Sequence, residues 1–349
     1  MKRLAASIAC VTFAVLVLAF LNWQKTRPQL DAQESPRTVS TDSRSQRKAE
    51  GADQNDERTD TSLPEYYVED VIKILTTATE EMIEKKTCKT ADDLHRELDR
   101  SQFTLELPKA STTPLTSQEL YRRATESVFL VAGLTKPSGD ETAWQTSFST
   151  AFVVHEDGIL STSAHVFDHD DHDDAVVVMD VRGQVYPVLE ILAANRTGDT
   201  CLFRISKKGL KPLALGPAAH PGSQISVIGH PGDSFFYFSA GHIANYERDE
   251  EGLLWLNITA DFGQGSSGGP VMDEAGNVIG QVSRTYTLYA GGDASNRRRH
   301  PRVVRQAADH QPDDGPSETD ESAAVRKRAD PQMVFKACTP VSSIRALAK

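Results

Sequence analysis

Three short segments of this 349-residue chain hold residue types able to do acyl-transfer chemistry. The first is Gly265-Ser-Ser-Gly-Gly-Pro270. A nucleophilic serine needs its hydroxyl held proud of the backbone, with N–H groups aimed at the oxyanion that develops on attack. Gly265 lets the chain turn without a side chain in the path of an incoming carbonyl, and Gly268 and Gly269 permit close approach behind it. Ser267 is therefore the candidate nucleophile, and the N–H groups of Gly265 and Ser267 are the candidate oxyanion hole. Alone, the segment reads equally well as a Gly/Ser turn between two strands.

The second segment is Gly158-Ile-Leu-Ser-Thr-Ser-Ala-His-Val-Phe167, a strand that ends in small residues and then His165. A general base must sit against its serine with little bulk around it, which small neighbours allow. The third is Asn195-Arg-Thr-Gly-Asp-Thr-Cys-Leu-Phe-Arg-Ile205, in which Asp199 opens an apolar strand. A carboxylate carried into a partly buried place can hold one histidine tautomer and stabilise the imidazolium. A histidine after a strand is usually a packed core residue, and an aspartate before one is usually a turn residue. The conjunction His165, Asp199, Ser267, with gaps of 34 and 68 residues, favours the chemical reading.

The elements that must position these groups are short strands. From about residue 116 a short helix, 116–126, leads into strand patterns at 127–133, 147–155, 158–161, 175–181, 184–192, 201–205 and 224–229. Further patterns follow at 239–245, 253–259, 270–273 and 278–289. Many short strands separated by Gly and Asp turns predict a sandwich or barrel. Residues 291–331 run from an Arg-rich block through an acidic one and lack periodicity, so they read as an insertion. A last strand around 333–337 and a helical turn over 342–347 complete the domain within 332–349. Upstream, Tyr66, Tyr67, Val71, Ile72, Leu75, Met82 and Ile83 recur at near-helical spacing, and a shorter helix follows at 91–98. The helical segment 64–115 is thus a docking or oligomerisation element, or a helix packed on its own domain.

At the N-terminus, Met1-Lys-Arg precedes an uncharged run from Leu4 to Gln24, long enough to cross a bilayer. The poor cleavage site at its end favours a signal anchor over a removed signal peptide within 1–24. Both put the rest of the chain outside the cytoplasm. Residues 25–63 are polar and mixed in charge, a tether unable to offset its ordering entropy by burial. The chain has 38 basic and 49 acidic residues and a formal charge of −11, which argues against sequence-independent nucleic-acid binding. An apolar fraction of 39% excludes a polytopic membrane protein and a wholly disordered chain. Four cysteines (Cys10, Cys88, Cys201, Cys338) are too few for a disulfide-built scaffold; Cys88 and Cys338 are a candidate pair across the terminal segments, and Cys201 is a candidate buried thiol. The run Asp168-His-Asp-Asp-His-Asp-Asp174 has metal-binding residue types but reads first as a solvated loop, so no metal is expected.

Order, spacing and local motifs resemble the trypsin/chymotrypsin-type serine proteases, in particular the bacterial HtrA/Deg-like branch. Thr162-Ser-Ala-His-Val166, Asp199-Thr-Cys-Leu-Phe-Arg-Ile205, Ile228-Gly-His-Pro-Gly-Asp233 and 265–280 carry the resemblance, which covers about 116–290 and 332–349. It implies an all-β fold of two six-stranded antiparallel barrels with the triad in the cleft between them. It also implies a serine endopeptidase acting on proteins or peptides through an acyl-enzyme without a cofactor, in extracytoplasmic protein quality control. A non-catalytic or autoinhibited binding module on the same fold is the alternative, and homo-oligomers are an open expectation. Departures are Ser266, where the family often has Asn or Asp, and 147–155, which lacks the usual Gly-Ser-Gly run. Only 79 residues follow Pro270, too few for the insertion and a PDZ domain together. By ungapped count Asp261 falls where trypsins carry the pocket-floor aspartate that selects Arg or Lys. Val282-Ser-Arg-Thr285 resembles the pocket wall, with Arg284 placed to neutralise Asp261 or Thr285 to narrow the slot. Arg/Lys and small aliphatic preferences both stay open. Ser283 would brace Asp199, as the family's serine at that place does.

Overall fold

A computed structural model describes residues 65–138, 143–168, 173–289 and 331–348. The expectations for 1–24, 25–63 and the insertion up to residue 330 fall outside these residues. Among the described residues no helix is long and apolar enough to cross a membrane.

Twelve strands close into two six-stranded antiparallel barrels. The first holds β1 (Val128–Thr135), β2 (Gln145–His155), β3 (Ile159–Thr162), β4 (Ala175–Met179), β5 (Val185–Asn195) and β6 (Thr200–Ile205), in the order β1-β2-β3-β6-β5-β4. The second holds β7 (Gln224–Gly229), β8 (Tyr237–Arg248), β9 (Leu254–Ile258), β10 (Pro270–Met272), β11 (Val278–Tyr289) and β12 (Pro331–Pro340), in the order β10-β11-β12-β9-β8-β7. Closure removes the sheet edges that would otherwise pair with other chains.

Alternation along the strands explains how the barrels fill and dock. Successive side chains point to opposite faces. Phe129 and Val131 of β1 join Val153, Leu160, Val178, Ile191 and Phe203 in a cluster drawn from all six strands of the first barrel. Leu130, Ala132 and Leu134 face the other way. They join a cluster that includes Ile228, Met272 and Val278 of the second barrel. Within the second barrel, Ile225, Val227, Leu256, Ile258, Val271, Ile279 and Cys338 pack together. β1 is therefore apolar on both faces, because one face fills its barrel and the other meets the neighbouring layer.

Four helices complete the described chain: α1 (Val68–Glu84), α2 (Ala91–His95), α3 (Ser117–Ala124) and α4 (Val341–Leu347). α3 starts at a capping box in which the Thr116 hydroxyl accepts the Glu119 N–H while the Glu119 carboxylate accepts the Thr116 N–H. α1 resolves the two readings of its sequence: Val71 and Leu75 are buried in the cluster shared by both barrels, so the helix packs on its own domain. Tyr66, just before it, packs on Phe235 and Phe236 at ring-centroid distances of 6.4 and 5.2 Å. Leu75→Ala is expected to destabilise the domain by about 2–5 kcal/mol, read from denaturant unfolding, because a fully buried leucine leaves a cavity.

Cys88 lies between α1 and α2, whereas Cys338 is buried in β12 of the second barrel, and both are free thiols. The candidate Cys88–Cys338 pair is not formed: Cys338 sits inside the barrel, among side chains drawn from its strands. Cys201 is a buried free thiol, pushed well up from the ordinary thiol value by burial and by the charge of Asp199.

Candidate active site

The three candidate residues approach one another from both barrels. His165 sits on a single 3-10 turn, Ala164–Val166, directly after β3. Asp199 ends the turn before β6 with a positive φ of 49°, a conformation that Asp tolerates better than most residues. β3 and β6 are paired neighbours, with Thr162 opposite Cys201, so His165 and Asp199 leave adjacent strand ends on the same side of the barrel. Ser267 lies in the loop that leads into β10 of the second barrel.

His165 Nδ1 lies 3.0 Å from both oxygens of Asp199, and the His165 backbone N–H donates to Oδ1 at 3.1 Å. An ionised carboxylate only accepts, so Nδ1 carries the proton, which in the neutral ring puts the lone pair on Nε2. The Ser283 hydroxyl donates to Asp199 Oδ2 from β11 of the other barrel. Burial by itself would push the Asp199 carboxyl up, but the His165 ring and backbone N–H and the Ser283 hydroxyl outweigh it and hold the group below its ordinary value. The carboxylate stays ionised at neutral pH, and its contribution to stability is lost only as pH falls through that lowered value. The His165 side chain is 44% exposed and that of Asp199 only 12%, which suits a base that meets substrate and an orienting group that does not.

Among the described residues Ser267 makes its side-chain hydrogen bond to the backbone of Ser283 and not to the imidazole. Its hydroxyl donates to the Ser283 carbonyl at a long 3.4 Å. Ser283 thus touches Asp199 through its side chain and Ser267 through its backbone. Such hydrogen bonds are commonly loose without substrate and tighten on binding.

The serine loop is clamped at several points. The Thr150 N–H donates to the Ser267 carbonyl at 2.9 Å, and its hydroxyl donates to the Gly265 carbonyl at 2.8 Å. The Gly268 N–H donates to the Val282 carbonyl and the Val282 N–H to the Gly269 carbonyl, both at 2.8 Å. The Gln264 carbonyl accepts the Gly232 N–H at 3.0 Å. A trans amide then points the Gly265 N–H away from the 230–232 turn. Neither the Gly265 nor the Ser267 N–H donates to any described residue, which leaves both for an oxyanion. Gly265 has φ of +92°, and a Cβ there would stand 2.2 Å from the His230 carbonyl oxygen.

Thr150 is a residue that motif reading missed. The signal was the departure in 147–155, where a threonine occupies a strand expected to be Gly-Ser-Gly. Thr150→Val should cost about 1–3 kcal/mol, since the buried Gly265 carbonyl would lose its partner; an unfolding midpoint and a hydrolysis rate, both lowered, are the readouts. Gln281 is a second such residue: its side chain accepts from the Ser161 hydroxyl at 2.6 Å, across the two barrels.

His230 underlies the loop. Its Nδ1 accepts the Phe236 N–H at 3.1 Å, and its ring meets Phe236 edge-on at 4.7 Å. Complete burial pushes the imidazole down to about 3, offset in part by the backbone of Phe129. Its folded value lies below the unfolded one of about 6.5, so stability is full above that pH and falls by about 1.4 kcal/mol per unit between 6.5 and 3. The pH slope of the unfolding free energy should flatten in His230→Asn, whose side-chain oxygen can still accept the Phe236 N–H.

Of the expected specificity residues, Ser283 braces Asp199 as expected, whereas Asp261 and Arg284 are placed differently from the sequence reading. The Asp261 side chain is 82% exposed and lies 3.9 Å from Lys336, so it is not a buried floor. Arg284 does not neutralise it. The guanidinium lies 3.7 Å over the Trp255 ring and 3.9 Å from Asp249. Thr285 is exposed, and Ser283 is buried against Asp199. In the 168–174 run, residues 169–172 lie outside the described residues. Asp168 pairs with Arg196 at 3.2 Å and Asp173 accepts the Thr135 hydroxyl at 2.9 Å. Among the described residues no group of three His, Cys, Asp or Glu side chains is disposed to hold a metal.

Residues 149–280 match the family model described as a trypsin-like peptidase domain. "Protease Do-like 2, chloroplastic" of Arabidopsis thaliana is 30% identical over 152 residues, 40% of this chain and 24% of that protein. "Probable periplasmic serine endoprotease DegP-like" of Pseudomonas fluorescens is 26% identical over 160 residues, 44% of this chain and 33% of that protein. The chain thus spans about a quarter to a third of the length of these relatives. A solved HtrA-type protease with a decapeptide aligns over 52% of this chain and 61% of its own, at 21% identity and a TM-score of 0.43.

Proposed function

We propose that this chain, which carries a trypsin-like peptidase domain, is a serine endopeptidase that works outside the cytoplasm. The observation that supports it most is the chain of contacts from His165 through Asp199 to Ser283 and on to Ser267. For the reaction the Ser267 hydroxyl would leave the Ser283 carbonyl and donate to Nε2 instead. In the reaction His165 Nε2 takes the Ser267 proton as Oγ attacks the peptide carbonyl. Asp199 holds the tautomer and stabilises the imidazolium. The Gly265 and Ser267 N–H groups receive the oxyanion, and the imidazolium protonates the leaving amine. Water, activated by the same imidazole, then releases the acyl group, so no cofactor enters the cycle.

The location rests on Met1–Arg3 and the uncharged run to Gln24, with a relative named as periplasmic in support. Unfolded or surface-exposed proteins are the substrates we assign. Hydrolysis of unfolded casein tests the reading: Ser267→Ala and His165→Ala should each lower the rate by about 10⁴-fold or more while leaving the fold intact. Rates equal to that of the unsubstituted protein would exclude this site as the source of activity.

A further inference from the structure

Lys336 has no role in the mechanism above, yet it bridges the two segments that flank Ser267. It stands opposite Thr285 in the β11–β12 ladder, two residues from Ser283, whose carbonyl accepts the Ser267 hydroxyl. Its ammonium donates to the carbonyl of Phe262, five residues before Ser267, and lies 5.0 Å from the centre of the Phe262 ring. The side chain of the substrate residue acylating Ser267 must extend from the nucleophile, and 261–264 and 283–285 are the segments beside it. Lys336 spans them with only 17% of its side chain exposed.

The pairing of this cation is incomplete. An ammonium has three donors. One goes to a neutral carbonyl. The nearest carboxylate, Asp261, is 3.9 Å away, too long for a good hydrogen bond, and 82% exposed, so water screens it. A mostly buried cation held by one neutral acceptor gains from a further desolvated anion. Arg284, the cation of the 283–285 segment, is occupied by Trp255 and Asp249.

We infer that Lys336 sets the primary specificity of the proposed endopeptidase, which cuts after Asp or Glu. The substrate carboxylate enters between 261–264 and 283–285 and completes the ion pair. An Arg or Lys side chain there meets a like charge. This inverts the preference that an acidic residue six positions before the nucleophile would impose, because Asp261 turns outward and Lys336 takes the interior place. The inference rests on the serine-endopeptidase reading of the same site.

The test pairs kcat/KM on fluorogenic peptides differing only at the residue before the scissile bond with fluorophosphonate labelling of Ser267, which needs no side chain in the pocket. The full chain should favour Glu or Asp over Ala by about tenfold or more, and Arg should be the poorest. Lys336→Gln keeps a donor for the Phe262 carbonyl but has no charge. It should lose the acidic preference while labelling stays within about twofold, which a merely structural role for Lys336 would not produce. Lys336→Glu should turn the preference toward Arg and Lys. A labelled wild-type protein that cuts after basic or apolar residues, or a Lys336→Gln variant that keeps the acidic preference, would overturn the assignment and leave the endopeptidase reading standing. A folded protein that resists labelling would overturn both.

Discussion

Asp199→Asn should lower kcat by about 10³–10⁴-fold with little change in KM, although the substitution alters only one atom of the side chain. The carboxylate has three donors around it: the His165 backbone N–H and Nδ1, and the Ser283 hydroxyl. An asparagine keeps one acceptor oxygen, which the backbone N–H can hold. Its NH₂ then faces Nδ1 and makes that nitrogen an acceptor. The proton moves to Nε2, and the base that must take the Ser267 proton no longer has a lone pair. Substrate binding does not use this group, so the loss falls on kcat. Steady-state kinetics on a peptide substrate gives the split. A loss under tenfold would mean that His165 and Asp199 do not act as a unit.

Gly268→Ala should be the most damaging single-methyl substitution in the serine loop. The residue has φ of +87°, and a Cβ there would stand 2.1 Å from both the Thr150 carbonyl oxygen and Thr162 Oγ1. Those atoms belong to β2 and β3 of the first barrel, and Thr162 Oγ1 already donates to the Thr150 carbonyl at 2.7 Å. No side-chain rotation removes the overlap with a backbone oxygen, so the serine loop and the first barrel must part. Backbone strain and overpacking together should cost about 3–5 kcal/mol. The Thr150 bonds to the Gly265 and Ser267 carbonyls should loosen with them. Both the thermal midpoint and the acylation rate should fall. A stable variant with normal acylation would show that the two barrels are not held at this point.

How far the sequence carried the fold and site depended on the range of the signal. β7 and β11 were legible to the residue, and the other strands to within a few, because short apolar runs bounded by Gly or Asp turns are local patterns. His165, Asp199 and Ser267 could be singled out as candidates because each stands in a short motif. Neither the inward turn of Lys336 nor the outward turn of Asp261 was legible. An ungapped count carries no information about a loop's direction, and the register of β11 against β12 shifts between Val282 and Arg284, which breaks the alternation of side chains at that point. Arg284 consequently covers Trp255 instead of Asp261. The supposed Cys88–Cys338 bridge failed for a related reason: spacing in the chain says nothing about which thiol is enclosed by strands. Thr150 stood out as a departure from the family pattern, and only the approach of the two barrels gave that departure a role.

The central claim is that Ser267 is an activated nucleophile. Fluorophosphonate labelling of the full chain, with the modified residue mapped by mass spectrometry, tests it most directly, since such probes react where a serine is served by a base and an oxyanion hole. The account predicts one covalent adduct, on Ser267, lost in Ser267→Ala and strongly slowed in His165→Ala. A folded protein that takes up no label, or takes it at another serine, would contradict the account and favour a non-catalytic or autoinhibited module on the same fold.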